Sequence, residues 1–120
     1  MELQSKIIKR EDGLDFLKTN LRSCEFYTHV SSKTNAQASA IVYNHNGINE
    51  FIPFSSKSLQ RLNIVDDGTQ SQLIQAIKSG KLVLATMDKP ATDKNGKKLP
   101  FNARCFVSNT KGEGFADLEL

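Results

Sequence analysis

The segment 88–100 carries the side chains with the clearest capacity for chemistry in this chain. Four lysines lie in it: Lys89, Lys94, Lys97 and Lys98. Lysine ammonium groups neutralise phosphates whatever the base sequence, so this cluster suits contact with a nucleic-acid backbone. Asn95-Gly96, between two apolar runs, predicts a hairpin tip, because both residue types tolerate positive φ. A solvated loop whose lysines serve only solubility is the alternative that these residues leave open.

Flat rings are the second requirement for binding a single strand without sequence preference, since stacking contributes about 1–3 kcal/mol per base. The chain has seven Phe, two Tyr and no Trp. Tyr27 and Tyr43 are predicted to be exposed, because a buried tyrosine needs a partner for its hydroxyl group. Phe101, at the root of the hairpin, is the third candidate ring, whereas Phe51 is more typical of a core.

The elements that must position these residues follow from the periodicity of the apolar side chains. Period-two alternation and turn signals predict five strands, at residues 24–30, 37–43, 48–54, 81–87 and 101–108. Apolar residues at helical spacing predict a short helix at 13–20 after a cap at Asp12. A short helical turn capped by Ser55 or Ser56 precedes a clearer helix, which begins after Thr69 and ends before Gly80.

The order of these elements indicates a fold class. Three strands, a helix and two further strands is the order of the five-stranded oligonucleotide-binding (OB) barrel. The sequence therefore predicts a mainly β fold, an OB-fold-like barrel with a helix between strands three and four and a short N-terminal helix. That architecture binds single strands with the face of strands two and three and the loops after strands one and four. Here those loops are 31–36, which contains Lys33, and 88–100.

The turn between strands two and three decides which ring faces the ligand. If Asn44–Gly47 forms a four-residue loop, Tyr43 lies opposite Ile48. Phe51 is three positions further along, so Tyr43 and Phe51 face opposite sides of the sheet unless a bulge intervenes. We expect Tyr43 to lie outside and stack on bases, and Phe51 to pack inside.

With its basic hairpin and this element order, the chain resembles the single-stranded DNA-binding proteins of bacteria and their phages over residues 22–108. Met87–Lys98 is similar to the basic, glycine-tipped fourth hairpin of that family, and the small size is closer to a phage protein. The resemblance implies a non-enzymatic protein without cofactor that binds single-stranded DNA with no marked sequence preference, in phage or mobile-element DNA replication or recombination. The lack of Trp and of a long Gly/Gln/Pro-rich segment departs from the family pattern.

The last residues suggest a second kind of partner. Phe115–Leu120 alternates apolar and acidic residues, and it resembles the acidic tail with which bacterial single-strand binders recruit replication and repair proteins. An edge strand or a frayed terminus is the alternative. We therefore expect one domain over residues 1–120, with 110–120 a short tail. Exposed barrel edges would also permit pairing into a homo-oligomer.

Composition bounds the remaining classes. A length of 120 residues with 38% apolar and 24% charged residues is typical of one globular domain, and a net charge of +3 permits an anionic partner. The apolar runs are too short for a transmembrane helix, and Met1–Arg10 has no apolar core of a signal peptide, which predicts a cytoplasmic protein. Cys24 and Cys105 are then expected to be reduced.

Metal and catalytic motifs are weak in this chain. The two histidines and two cysteines show no CxxC or HxxxH spacing, so no metal site is predicted. No P-loop, GxSxG motif or paired-carboxylate arrangement indicates an enzyme. Two other functions stay open. One is a small protein-interaction module, such as a phage inhibitor of a host protein. The other is an RNA-binding OB barrel, because no residue indicates whether the protein contacts the 2′-hydroxyl group of RNA.

Overall fold

The fold is mainly β, with two three-stranded antiparallel sheets and a few short helices. A computed structural model of the chain describes residues 7–30, 35–65 and 69–109. The strands are β1 (Ile7–Glu11), β2 (Cys24–Val30), β3 (Gln37–His45), β4 (Ile48–Pro53), β5 (Leu82–Thr92) and β6 (Lys98–Ser108). The helices are α1 (Gly13–Asn20), a 3₁₀ turn at Leu21–Ser23, α2 (Ser56–Arg61) and α3 (Gln70–Lys78). No helix among these described ranges is long and apolar enough to span a bilayer.

The first sheet has the order β2-β3-β4 and turns more tightly than the sequence pattern predicts. Asn46 and Gly47 have φ of +54° and +89°, as a two-residue type I′ turn requires, and His45 pairs with Ile48. The predicted four-residue loop at 44–47 is therefore wrong. Tyr43 pairs with Glu50 instead of Ile48, because β3 continues for two residues beyond its predicted end.

The second sheet has the order β1-β5-β6. Strand β1 was not predicted, although its Ile7 is buried and pairs with Met87 of β5. The polar segment predicted as a long connector is mostly strand, because β5 runs to Thr92 and β6 begins at Lys98. Only residues 93–97 form the hairpin tip, and register shifts in β5 near Pro90 bend the hairpin.

Within the part of the chain that the structure describes, the two sheets meet through one parallel bridge between Phe54 and Phe106, supported by a 2.9 Å hydrogen bond from Ser55 N–H to the Phe106 carbonyl. In the described ranges no pairing joins β1 to β2, so the strands do not form a closed barrel. The predicted bounds of β2 and α1 and the order of the predicted elements are confirmed, whereas β3, β5 and β6 are longer than predicted and a closed five-stranded barrel is not found.

Helix α3 covers the main core. Thr69 and Gln72 form a capping box at its start, and Gly80 has φ +77° just beyond its end. The helical spacing of Leu73, Ile74 and Ile77 predicts one core face; Leu73 and Ile77 are buried in the core, whereas Ile74 is half-buried. The core they join contains large side chains from both sheets and α2: Ile41, Ile52, Phe54, Leu59, Leu84 and Phe106.

Helix α1 begins as predicted, because the Asp12 carboxylate accepts hydrogen bonds from the N–H groups of Leu14 and Asp15. Gly13 weakens a helix in principle, but a Cβ there would lie only 3.1 Å from the ring of Phe106. Glycine at this position therefore lets α1 pack closely against the core.

Candidate nucleic-acid interface

Three rings share the outer face of the β2-β3-β4 sheet. Tyr27 and His29 alternate onto that face of β2, and the pairing of Phe51 with Val42 places Phe51 beside them. Ring centroids are 6.2 Å apart for Tyr27 and His29, 6.2 Å for Tyr27 and Phe51, and 4.7 Å for His29 and Phe51. We call these three residues the outer ring cluster. Tyr27, 36% exposed, is its most open member and offers a face for stacking.

The rings of Tyr43 and Phe51 do lie on opposite faces, but the predicted facing was wrong. Tyr43 shares the inner face with Ile41, packs edge-on to Phe16 at 5.2 Å, and donates its hydroxyl to Asn20 Oδ1 at 3.0 Å. The prediction assumed that the hydroxyl needed water, whereas Asn20 at the end of α1 supplies the partner. Phe51 is therefore the ring that faces outward.

The hairpin tip is held in shape by Asp93. Its Oδ1 accepts hydrogen bonds from the N–H groups of Asn95 at 2.9 Å and Lys97 at 3.0 Å. Gly96, with φ +83°, donates its N–H to the Asp93 carbonyl. All four predicted lysines of the hairpin, Lys89, Lys94, Lys97 and Lys98, are exposed.

The tip approaches the outer face of the first sheet. Lys94 and Tyr27 line one groove of about 560 Å³, which we call the outer groove. Arg22 adds a second cation and Glu25 an anion, so the groove carries a small excess of positive charge. Its remaining lining is made of Ser23, Cys24, Val42, Asn44 and Asn49.

Two predicted site residues, Tyr43 and Phe101, come together elsewhere. They line a separate cavity of about 390 Å³ on the inner side of the first sheet, which we call the inner pocket. Its rings follow one another: Tyr43 and His45 are 5.5 Å apart, and His45 and Phe101 are 5.3 Å apart. The full lining is Glu11, Phe16, Asn20, Tyr43, His45, Glu50, Thr86, Phe101, Asn102 and Arg104.

An ion pair that sequence reasoning missed forms one wall of the inner pocket. Arg104 donates to Glu50 from Nε at 3.0 Å and from Nη2 at 2.6 Å, and the Glu50 side chain is fully buried. Desolvation by burial tends to lower the pKa of Arg104, but the hydrogen bonds and charge of Glu50 outweigh it and raise that pKa above its ordinary value. Strand alternation could have indicated that both charged side chains point into the core. Glu50 lies on the same side of β4 as the buried Ile52, and Arg104 lies on the same side of β6 as the buried Phe106.

The thiol of Cys24 lies next to this ion pair. Burial raises the pKa of Cys24 to about 11, with Arg104 lowering it and Glu50 raising it further. Cys24 and Cys105 are both free thiols. Among the described residues, no group of three or more His, Cys, Asp or Glu side chains could hold a metal ion.

Lys33 and the tail 110–120 lie outside the described residues. Comparison with known proteins adds no constraint, because no protein-family model, curated protein or solved structure matches this chain. The functional conclusion therefore depends on the geometry of the outer face and the hairpin.

Proposed function

We propose that this protein binds single-stranded DNA without marked sequence preference, through the outer ring cluster, the outer groove and the lysine hairpin. One observation supports the proposal most: Tyr27 belongs both to the ring cluster and to the groove wall that Lys94 completes. A strand lying there would stack a base on an exposed ring while its phosphates meet lysines of the tip.

The requirement for a single strand follows from stacking. The flat faces of bases are covered by their neighbours in a duplex and become accessible only when the strand is unpaired. The Lys94 ammonium in the groove is a point charge that does not distinguish bases, and stacking on the face of a ring is tolerant of base identity. Weak sequence preference and strong salt dependence are the expected result.

We further infer that the two sheets are the halves of an opened OB-type barrel. The parallel bridge between Phe54 and Phe106 lies between the strands that would be the third and fifth of that barrel. Strand β1 pairs with β5, where the beginning of the first strand would lie in a closed barrel. On this interpretation, α1 divides the first strand into β1 and β2. The hairpin tip then corresponds to the loop after strand four, which that architecture uses for its ligand.

The biological setting follows from the same proposal. The basic, glycine-tipped hairpin resembles that of phage and bacterial single-stranded DNA-binding proteins, which supports a place in phage or mobile-element DNA replication or recombination. In that role the chain would coat exposed strands in the cytoplasm of a bacterial host and would need no catalytic residue or cofactor. Its acidic, apolar C-terminal residues would then be the segment available for a replication or recombination protein.

A fluorescence-polarisation titration tests the proposal. Labelled oligo-dT, the matching duplex and an RNA of equal length are titrated at two salt concentrations. We expect tighter binding to oligo-dT than to the duplex, with an affinity that falls as salt rises. Equal affinity for duplex, or none for any nucleic acid, would exclude the proposal. Tighter binding to the RNA than to oligo-dT would mean that the protein is an RNA-binding protein.

A matched pair of variants links that binding to the outer face. Phe51→Ala removes a ring of the cluster, whereas Val65→Ala removes apolar surface from a residue that is 66% exposed and belongs to neither the cluster nor the groove. We expect only Phe51→Ala to weaken binding of oligo-dT. Equal affinities in both variants would show that the strand binds elsewhere.

A further inference from the structure

We propose that the inner pocket binds a single nucleobase. Four rings line it in sequence, with centroid separations of 5.2 Å from Phe16 to Tyr43, 5.5 Å from Tyr43 to His45, and 5.3 Å from His45 to Phe101. A volume of about 390 Å³ lies within the range of about 300–1,000 Å³ typical of small-molecule sites. A planar heteroaromatic ring is the chemical group that such a wall accommodates best.

Polar groups in the pocket complement the edge of a base. Glu50 engages Nε and Nη2 of Arg104, which leaves Nη1 without a hydrogen-bond partner in the described part of the chain and able to donate to a base acceptor. The Glu11 carboxylate and the Asn102 amide also line the cavity and can accept from a base amino group.

The charges of the pocket favour a base over a phosphate. Glu50 neutralises Arg104 at close range, and Glu11, the second carboxylate of the lining, lies 3.7 Å from Lys9 Nζ. Among the described residues no lysine lines this cavity, in contrast to the outer groove with its Lys94. A phosphate would therefore meet no cation of the described lining that lacks a carboxylate partner, whereas a neutral base needs none.

The base has two possible sources, an unpaired position of a bound strand or a free nucleoside. Only the first source rests on the proposed function. The inner pocket and the outer ring cluster lie on opposite sides of the first sheet. Binding of a free nucleoside to the pocket can therefore be measured independently of strand binding to the outer face. Failure of nucleoside binding and failure of strand binding are thus separate results.

Side-chain NMR of the full-length protein tests the proposal with thymidine, cytidine, adenosine and guanosine as ligands. We expect at least one nucleoside to shift the Arg104 Nε–H and His45 ring signals in a saturable manner. The corresponding 5′-monophosphate should bind no more tightly than the nucleoside. Saturable shifts absent for all four nucleosides, or tighter binding of the monophosphates, would overturn the assignment.

Variants of the wall locate the binding. Phe101→Leu keeps apolar bulk but removes the ring, and we expect it to weaken nucleoside binding by between about fivefold and a hundredfold. Val65→Ala is the matched control and should bind as the parent does. If thermal melting shows that Phe101→Leu is folded and its nucleoside affinity is unchanged, the pocket does not bind the base.

An abasic oligonucleotide separates the two sources. If a base from a strand enters the pocket, oligo-dT shifts the Arg104 and His45 signals and an otherwise identical abasic oligomer does not. If only free nucleosides shift them, the pocket binds mobile nucleosides, and the proposal holds with that source. Shifts from the abasic oligomer equal to those from oligo-dT would mean that the strand perturbs the pocket without a base, which contradicts the proposal.

Discussion

Glu50 of β4 and Arg104 of β6 form a two-point ion pair that links the two sheets. The Glu50 side chain has no exposed surface and that of Arg104 is 16% exposed, so both charges are largely removed from water. The guanidinium also lies 4.8 Å from the centroid of the Phe16 ring and 5.5 Å from that of Tyr43. Among the described residues the backbone bridge between the sheets is a single residue pair, so this side-chain link and the shared core are what hold the sheets together elsewhere.

Removing one member of the pair should destabilise the protein. Glu50→Ala leaves a largely buried guanidinium without its counter-charge, which costs about 3 kcal/mol, at the low end of measured values because Arg104 keeps some access to water. In a cycle of the parent, Glu50→Leu, Arg104→Met and the double variant, the double variant should be more stable than either single variant. Urea unfolding of the four proteins checks this, and additive losses would show that the two charges do not interact.

The hairpin lysines should control the salt dependence of strand binding. Replacing Lys89, Lys94, Lys97 and Lys98 together by Ala should weaken binding of oligo-dT. The log–log salt slope should fall by about 0.7 for each phosphate that the variant no longer neutralises. Folding should persist, because these side chains are exposed.

Single variants give the control for that prediction. Lys94→Ala and Lys78→Ala each remove one exposed charge, but Lys94 lines the outer groove and Lys78 lies on α3. Polarisation titrations over a salt series should show a lower slope for Lys94→Ala alone. Identical slopes for the two variants would mean that only net charge matters.

Substitutions on the outer face of the first sheet should affect strand binding, whereas substitutions on its inner face should affect stability. Phe51→Ala should weaken binding of oligo-dT by about 1–3 kcal/mol. Tyr43→Phe should leave that binding unchanged but cost about 1 kcal/mol of stability, because it loses the hydrogen bond to Asn20. Titration and thermal melts of both variants check this, and the reverse pattern would mean that the Tyr43 hydroxyl, rather than the Phe51 ring, contacts the strand.

Local signals in the sequence located most of the elements. The bounds of β2 and α1 and the caps at Asp12 and Thr69 were predicted because each depends on neighbours within a few residues. Strand β1 was missed because its partner strand β5 lies some eighty residues further along the chain, so no local sequence pattern indicates the pairing.

The site was harder to predict for the same reason. Alternation could place Tyr43 and Phe51 on opposite faces, but only the packing of α1 against β3 decides which face is the inner one. The Glu50–Arg104 pair joins residues 54 positions apart, so sequence spacing alone could not match one partner to the other. The lysine hairpin was visible because its residues are contiguous.

Helix α3 should contribute to stability mainly through one face. Ile77 is 2% exposed in the main core, so Ile77→Ala should cost about 2–5 kcal/mol. Ile74 on the same helix is half-buried, and Ile74→Ala is the matched control with a smaller loss. Denaturant unfolding that gives equal losses for the two variants would contradict the assignment of the core face.

The thiol of Cys24 should react slowly in the folded protein. Its pKa is raised from 9.0 to about 11, mainly by burial, so at pH 8 the folded state holds roughly a hundredfold less thiolate than the unfolded chain. Because the folded state keeps its proton where the unfolded state has lost it, this group also lowers stability as pH rises from about 9 to 11. Cys105→Ala isolates Cys24, and its rate of reaction with an aromatic disulfide is measured at pH 8 with and without urea. Equal rates in the two conditions would show that the fold does not protect this thiol.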